Sequence, residues 1–152
     1  MNLVCRQFAF DSLSYKAGLD LRLEILRRPL GLSWTEADLR GEESSLHMGA
    51  FAEDHLVAVL ILVPLESDTI KMRQVAVAAE VQGRGVGAQL VRFAEDVARS
   101  AGFRWMTAHA RETAVSFYER LGYSVEGERF IEVSIPHFVI RKELFNPNLK
   151  VE

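Results

Sequence analysis

Gln82-Gly83-Arg84-Gly85-Val86-Gly87 has the residue types and spacing of a loop that holds an anion. It follows an extended apolar run, Val75-Ala76-Val77, and opens into an amphipathic helical pattern. Glycines, having no Cβ, let the main chain turn with its N–H groups bare on one side. The first N–H groups of the helix lack intrahelical partners and lie at the positive end of its dipole. Arg84 adds a full positive charge at the same spot. Phosphate is the anion such loops hold most often, so these residues point to a phosphorylated cofactor. Gly83-x-Gly85-x-x-Ala88 also fits the dinucleotide fingerprint, with Glu112 as the ribose-binding acid. Against that reading, Ala78 to Gln82 separate the glycines from the strand, and too little chain follows Ala110 for further βαβ units. A purely structural loop would not require an arginine between alternate glycines at a helix start.

The elements that must position this loop can be read from periodicity and turn chemistry. Leu3 to Ala9 reads as a strand, followed by a helix from Leu13 to Arg28 with Leu19, Leu23 and Leu26 along one face. Pro29 and Gly31 end it, and Trp34 to Ser45 reads as a polar loop with a short helical turn. Three strands are expected at Leu46–Phe51, Leu56–Val63 and Thr69–Val77, joined by turns at Glu53-Asp54 and Glu66-Ser67-Asp68. His47 and His55 read as hairpin residues. The helix after the glycine loop should run from Gly85 to Ser100. Its expected buried stripe is Val86, Leu90, Phe93, Ala94 and Val97, with Arg92, Glu95, Asp96 and Arg99 facing water and Gly102 closing it. A strand at Arg104–Ala110 comes next, then a helix from Ala114 to Leu121 capped by Thr113 and ended by Gly122. Strands near Tyr123–Glu126 and Phe138–Lys142 complete an α/β (α+β) fold, a mixed sheet covered by helices.

Bulk properties narrow the function classes. With 152 residues, 49% hydrophobic and 26% charged, the chain is expected to form one globular domain over residues 1–145 and a frayed tail over 146–152. The apolar run Leu56 to Leu65 is too short to cross a bilayer, and MNLVCRQF shows no secretory signal. Cys5 is the only cysteine, which suits a reducing cytoplasm. A net charge of −3 without a basic cluster gives no support to nucleic-acid binding.

Two separated motifs carry a resemblance to a known family. Gln82-x-x-Gly85-x-Gly87 after a Val-Ala-Val strand, and Ala114-x-x-Phe117-Tyr118-Glu119-Arg120-Leu121-Gly122-Tyr123, resemble the GNAT superfamily of N-acetyltransferases. The resemblance covers Leu3 to Leu144, and Ile135-Pro136-His137 is similar to a small bacterial branch of it. It implies a mostly antiparallel sheet of six to seven strands with a splayed central pair and about four helices. It implies acetyl-coenzyme A, without a metal, held between the Thr69–Val77 and Arg104–Ala110 strands. The backbone of Val75, Ala76 and Val77 would pair with the pantetheine arm as an added strand does. Gln82, Gly83, Arg84, Gly85, Val86, Gly87 and Ala88 would cradle the pyrophosphate, with Phe117 and Tyr118 also on the cofactor. By the same resemblance Tyr118 protonates the leaving sulfur, since a phenol keeps its proton at neutral pH. A backbone N–H at Val75 could stabilise the oxyanion.

The sequence departs from the family pattern at two places. The strand glutamate that many members use as general base is absent from Lys71-Met72-Arg73-Gln74. Substitutes are His109, Glu132, His137, Glu42 or Glu43, or a bound water; an imidazole suits proton removal near neutral pH. Arg111 stands where the family often has an asparagine on the cofactor. The acceptor is expected to be a primary amine of a small molecule or peptide, attacking directly in a ternary complex. Glu42, Glu43 and His137 are candidate acceptor contacts. A non-catalytic acyl-coenzyme A sensor is the alternative, motivated by the missing carboxylate. By analogy of fold the chain would form a homodimer.

Overall fold

The computed structural model describes residues 1–148; Leu149 to Glu152, the end of the tail expected to fray, lie outside the described residues. Seven strands are present: β1 (Leu3–Phe8), β2 (Leu46–Ala52), β3 (His55–Pro64), β4 (Thr69–Val77), β5 (Trp105–Arg111), β6 (Ser124–Glu132) and β7 (Ile135–Glu143). They form the mixed, mostly antiparallel sheet that the sequence led us to expect, and its strand order is β1-β2-β3-β4-β5-β7-β6. Among the described residues the α-helices are α1 (Leu13–Arg22), α2 (Val86–Ser100) and α3 (Val115–Arg120), supplemented by single π and 3-10 turns. None is long and apolar enough to cross a membrane. The chain divides into two compact units, Met1–Val63 with Arg73–Ala94, and Pro64–Met72 with the residues from Glu95 onward.

In the first unit β1 and β2 pair from Leu3↔Ala52 to Phe8↔His47, and β2 pairs with β3 from Leu46↔Leu62 to Ala52↔His55. β3 is nearly all core, Val57 to Leu62 being buried. Ser12 caps α1, accepting from the Tyr15 amide at 3.2 Å. The expected helix to Arg28 ends its regular α portion at Arg22 and widens into a π turn over Leu23–Arg27. Just before the widening the Leu19 carbonyl keeps its bond from the Leu23 N–H and also accepts from the Trp34 indole at 3.4 Å. The buried face also differs from the expected one. Tyr15, Gly18 and Arg22 are the buried positions of α1, while Leu19, Leu23 and Leu26 are half-buried.

In the second unit β4 and β5 pair in parallel from Thr69↔Trp105 to Met72↔Ala108. β5 pairs with β7 from Trp105↔Glu143 to Arg111↔His137. The final two strands are much longer than expected and form one hairpin, turned by Val133 and Ser134 at positive φ. β6 is almost wholly exposed and therefore lacks the alternation that marks a half-buried strand. Thr113 does not cap α3; Glu112–Ala114 is a 3-10 turn and the N-cap is Ala114, without a side-chain bond. Along α2 the buried residues are Val86, Leu90, Val91, Ala94, Glu95 and Ala98, with Phe93 and Val97 half-buried. Glu95 is buried rather than solvated because Tyr123 Oη donates to it at 2.8 Å and Lys142 Nζ at 2.9 Å. That carboxylate, with burial as the larger effect, pushes the Tyr123 phenol far above its ordinary range.

Candidate functional site

The glycine loop lies in the first unit, between β4 and α2. Gly83 and Gly85 both have φ of +79°, a conformation that L side chains rarely adopt. A Cβ built on either meets nothing within 4 Å, so the main chain there faces open space. Gln82 to Gly85 are exposed, whereas Val86 is 1% exposed and anchors the helix start in the core. The Gln89 amide donates to the Gly85 carbonyl at 3.1 Å, so the amides of the preceding residues remain outside the helical ladder. The Gln82 side-chain amide donates to the Val77 carbonyl at 2.9 Å, fastening the loop to the end of β4. Gly87 and Ala88 are half-buried in the first turn of α2. On β4, Ala76 is 1% exposed, and Val75 and Val77 are half-buried. Open space before two positive-φ glycines, with Arg84 between them, fits a diphosphate.

Tyr118, His109, Glu132 and His137 lie in the second unit. Tyr118 is buried within α3, edge-on to Phe117 at 4.9 Å and to Tyr123 at 5.7 Å between ring centroids. Burial pushes its phenol up to about 12, so the proton stays on through any ordinary assay range.

Three of the base candidates that sequence could only name separately come together here. His109 on β5 has Nδ1 3.0 Å from Glu132 Oε1 on β6, and His137 on β7 has Nε2 3.7 Å from Glu132 Oε2. The carboxylate accepts from His109 Nδ1, and in the neutral imidazole of that tautomer Nε2 keeps its lone pair. His137 Nδ1 donates to the Ile135 carbonyl at 2.9 Å and its side chain is 5% exposed, so it supports the hairpin turn. The Phe130 ring packs edge-on against His109 at 5.1 Å and tilted against His137 at 5.8 Å. Burial acts to raise the Glu132 carboxyl, but the His109 hydrogen bond, the two imidazoles and Lys71 outweigh it and hold the carboxyl below its ordinary value. Among the described residues no group of three or more His, Cys, Asp or Glu side chains could hold a metal ion.

Glu42, expected at the acceptor, has both oxygens occupied in the first unit. Arg22 binds it through two bonds, Nη1–Oε1 at 2.9 Å and Nη2–Oε2 at 2.6 Å, and Tyr15 Oη donates to Oε1 at 2.8 Å. His47, expected in a hairpin, is buried with Nε2 2.6 Å from the Glu42 carbonyl oxygen. Nothing in the local sequence flags this network, because Arg22 and Glu42 are twenty residues apart. Glu43, next to it, is exposed.

Residues 16–123 match the model of the acetyltransferase (GNAT) family. The chain belongs to the GNAT acetyltransferases. This GNAT chain is 28% identical over 76 residues to the uncharacterized protein YyaT of Bacillus subtilis (strain 168), covering 50% of this chain and 51% of that one. It is 34% identical over 62 residues to an uncharacterized acetyltransferase of Streptococcus pyogenes, covering 41% and 42%. Those matches thus span about half, or less, of the relatives' own length. Its fold is similar to that of Escherichia coli ElaA, with a TM-score of 0.81, 20% identity and coverage of 93% and 100%. A Bacillus subtilis acetyltransferase in complex with CoA is similar at a TM-score of 0.75, 19% identity and coverage of 95% and 100%.

Proposed function

We propose that this GNAT chain, with residues 1–145 as one acyltransferase domain, moves an acetyl group from acetyl-coenzyme A to a primary amine of a small molecule or peptide. Direct attack in a ternary complex is the route. The observation that carries the reading is the open main chain at Gly83 and Gly85, which can approach a diphosphate without obstruction. Acetyl-coenzyme A supplies an activated thioester and the diphosphate that the amides of Arg84 to Ala88 would hold. His109 Nε2 takes a proton from the amine, and Glu132 fixes the tautomer through Nδ1. The Val75 amide donates to the carbonyl oxygen as its charge grows. Tyr118 donates to the departing sulfur. Its raised pKa makes it a reluctant acid, so it stabilises the developing charge by hydrogen bonding before it yields the proton.

Calorimetric titration with coenzyme A tests the placement of the diphosphate. Gly85→Val puts a β-branched side chain at φ +79° and into the open space, and should weaken binding about 10- to 100-fold. A folded variant that binds as tightly as wild type would remove the support for this site. Acetyl transfer to any member of a primary-amine panel separates an enzyme from a sensor. Tyr118→Phe should lower kcat about 100-fold while leaving the Kd for coenzyme A within twofold. An unchanged kcat strips Tyr118 of its role.

A further inference from the structure

Within the second unit, the sheet face that carries His109 also carries cations for which the transfer chemistry has no use. Along β5, Met106, Ala108 and Ala110 are buried, which puts Trp105, Thr107, His109 and Arg111 on the opposite face. β4 alternates in step, with Ile70 and Met72 buried and Thr69 and Lys71 half-buried. The parallel register sets Lys71 beside Thr107, so Lys71 shares the face of His109, one strand across and two residues back. With strands roughly 4.8 Å apart and a rise of roughly 3.3 Å per residue, the Cα positions of Lys71 and His109 are about 8 Å apart. The Lys71 ammonium is close enough to Glu132 to favour its ionised form, which brings the cation to the His109–Glu132 pair itself. Arg111 stands two residues beyond His109 on the same face, and burial acts against its charge. The side chains of His109 and Glu132 are 32% and 44% exposed, so a ligand can reach them.

We propose that Lys71 Nζ binds a carboxylate carried by the acceptor, so that the amine acetylated at His109 belongs to a small aminocarboxylate such as a free amino acid. This rests on the transferase reading above and names the substrate class of that same site. An acceptor with a positive charge alone meets Lys71 and Arg111 as like charges, while Glu132 is already engaged with His109. An acceptor that brings its own anion turns that repulsion into attraction. The lysine ammonium has three N–H donors, so a ligand carboxylate can be bound while Glu132 remains in its field. Its flexible stem spans most of the gap between the two backbones. A carboxylate held at Nζ therefore lies only a few bonds from an amine whose N–H points at His109 Nε2, which is the size of an amino acid.

The test uses the full chain and its Lys71→Met, Lys71→Arg and Lys71→Glu variants. Acetyl transfer is measured to amino acids whose amine and carboxylate are separated by one, two or three carbons, each paired with its own carboxamide. The readout is kcat/KM for the acid divided by kcat/KM for the amide. Lys71→Met keeps the bulk, loses the charge and should lower that ratio about tenfold, through a higher KM for the acid. Lys71→Glu should lower it about a hundredfold, since a like charge then faces the carboxylate, and Lys71→Arg should hold it within about threefold. Damage to the His109–Glu132 pair would slow both members of each pair alike and leave the ratio in place. Ratios unchanged in Lys71→Met and Lys71→Glu would overturn the inference and leave the transferase reading standing. Wild type that acetylates amides but no acid would do the same. Wild type that neither binds coenzyme A nor acetylates any amine would remove both.

Discussion

Truncating Glu42 to alanine is expected to lower the unfolding free energy by about 3–5 kcal/mol, because it strands a buried guanidinium. The side chains of Arg22 and Glu42 are 2% and 4% exposed, and the pair is held by two hydrogen bonds, with Tyr15 as a third donor. In thermal melts a loss of this size should appear as a drop of about 10 °C. A loss below about 1 kcal/mol would mean that the first unit does not depend on this pair. Replacing both partners with apolar residues, Arg22→Met with Glu42→Leu, should recover much of the loss, since desolvation of the two charges is then avoided. Burial acts to raise the Glu42 carboxyl, but Arg22, the Tyr15 hydrogen bond and His47 outweigh it and hold the carboxyl below its ordinary value. A depressed folded pKa contributes stability above the unfolded pKa, and that stability is lost as pH falls through the folded value. The acid slope of stability should therefore be shallower in Glu42→Gln than in wild type.

His109→Gln is expected to reduce kcat about 100- to 1000-fold while leaving coenzyme A affinity unchanged. Glu132→Gln should cost less, about tenfold, because it disturbs the orientation and tautomer of the base but leaves the imidazole in place. Glu132 sits below the ordinary carboxylate range and Tyr118 at about 12, so neither changes protonation near neutrality. Full activity of His109→Gln would move the base to bound water.

The parts of the fold legible in sequence are those whose signals are local. β4 runs over Thr69–Val77 as its apolar pattern indicates, and α2 begins one residue after its expected start at Gly85. The glycine loop carries its own punctuation in residue type. What escaped depended on partners distant in the chain. Leu19, Leu23 and Leu26 have helical spacing, yet Arg22 takes the core because Glu42 neutralises it. Glu95 looks solvated until Tyr123 and Lys142 are brought to it. β6 hides its strand character behind a charged, exposed sequence, and its pairing with β7 sets Phe130 opposite His137 and Glu132 opposite Ile135. That pairing joins Glu132 to His109 across twenty-three residues, so the candidates were readable singly but their conjunction was not. The positive φ of Gln74 within β4 has no signature in residue type.

The two tryptophans fall one to each unit. Two guanidinium groups lie over Trp34, with the Arg22 and Arg27 Cζ atoms 4.9 and 4.7 Å from its ring. Trp105 lies beneath Arg104 and Arg141, at 5.1 and 3.6 Å. Each unit therefore carries a built-in fluorophore whose emission responds to the cations stacked on it. With one indole changed to phenylalanine, the remaining glow follows a single half of the molecule, and the melting of that half can be timed against loss of helical circular dichroism.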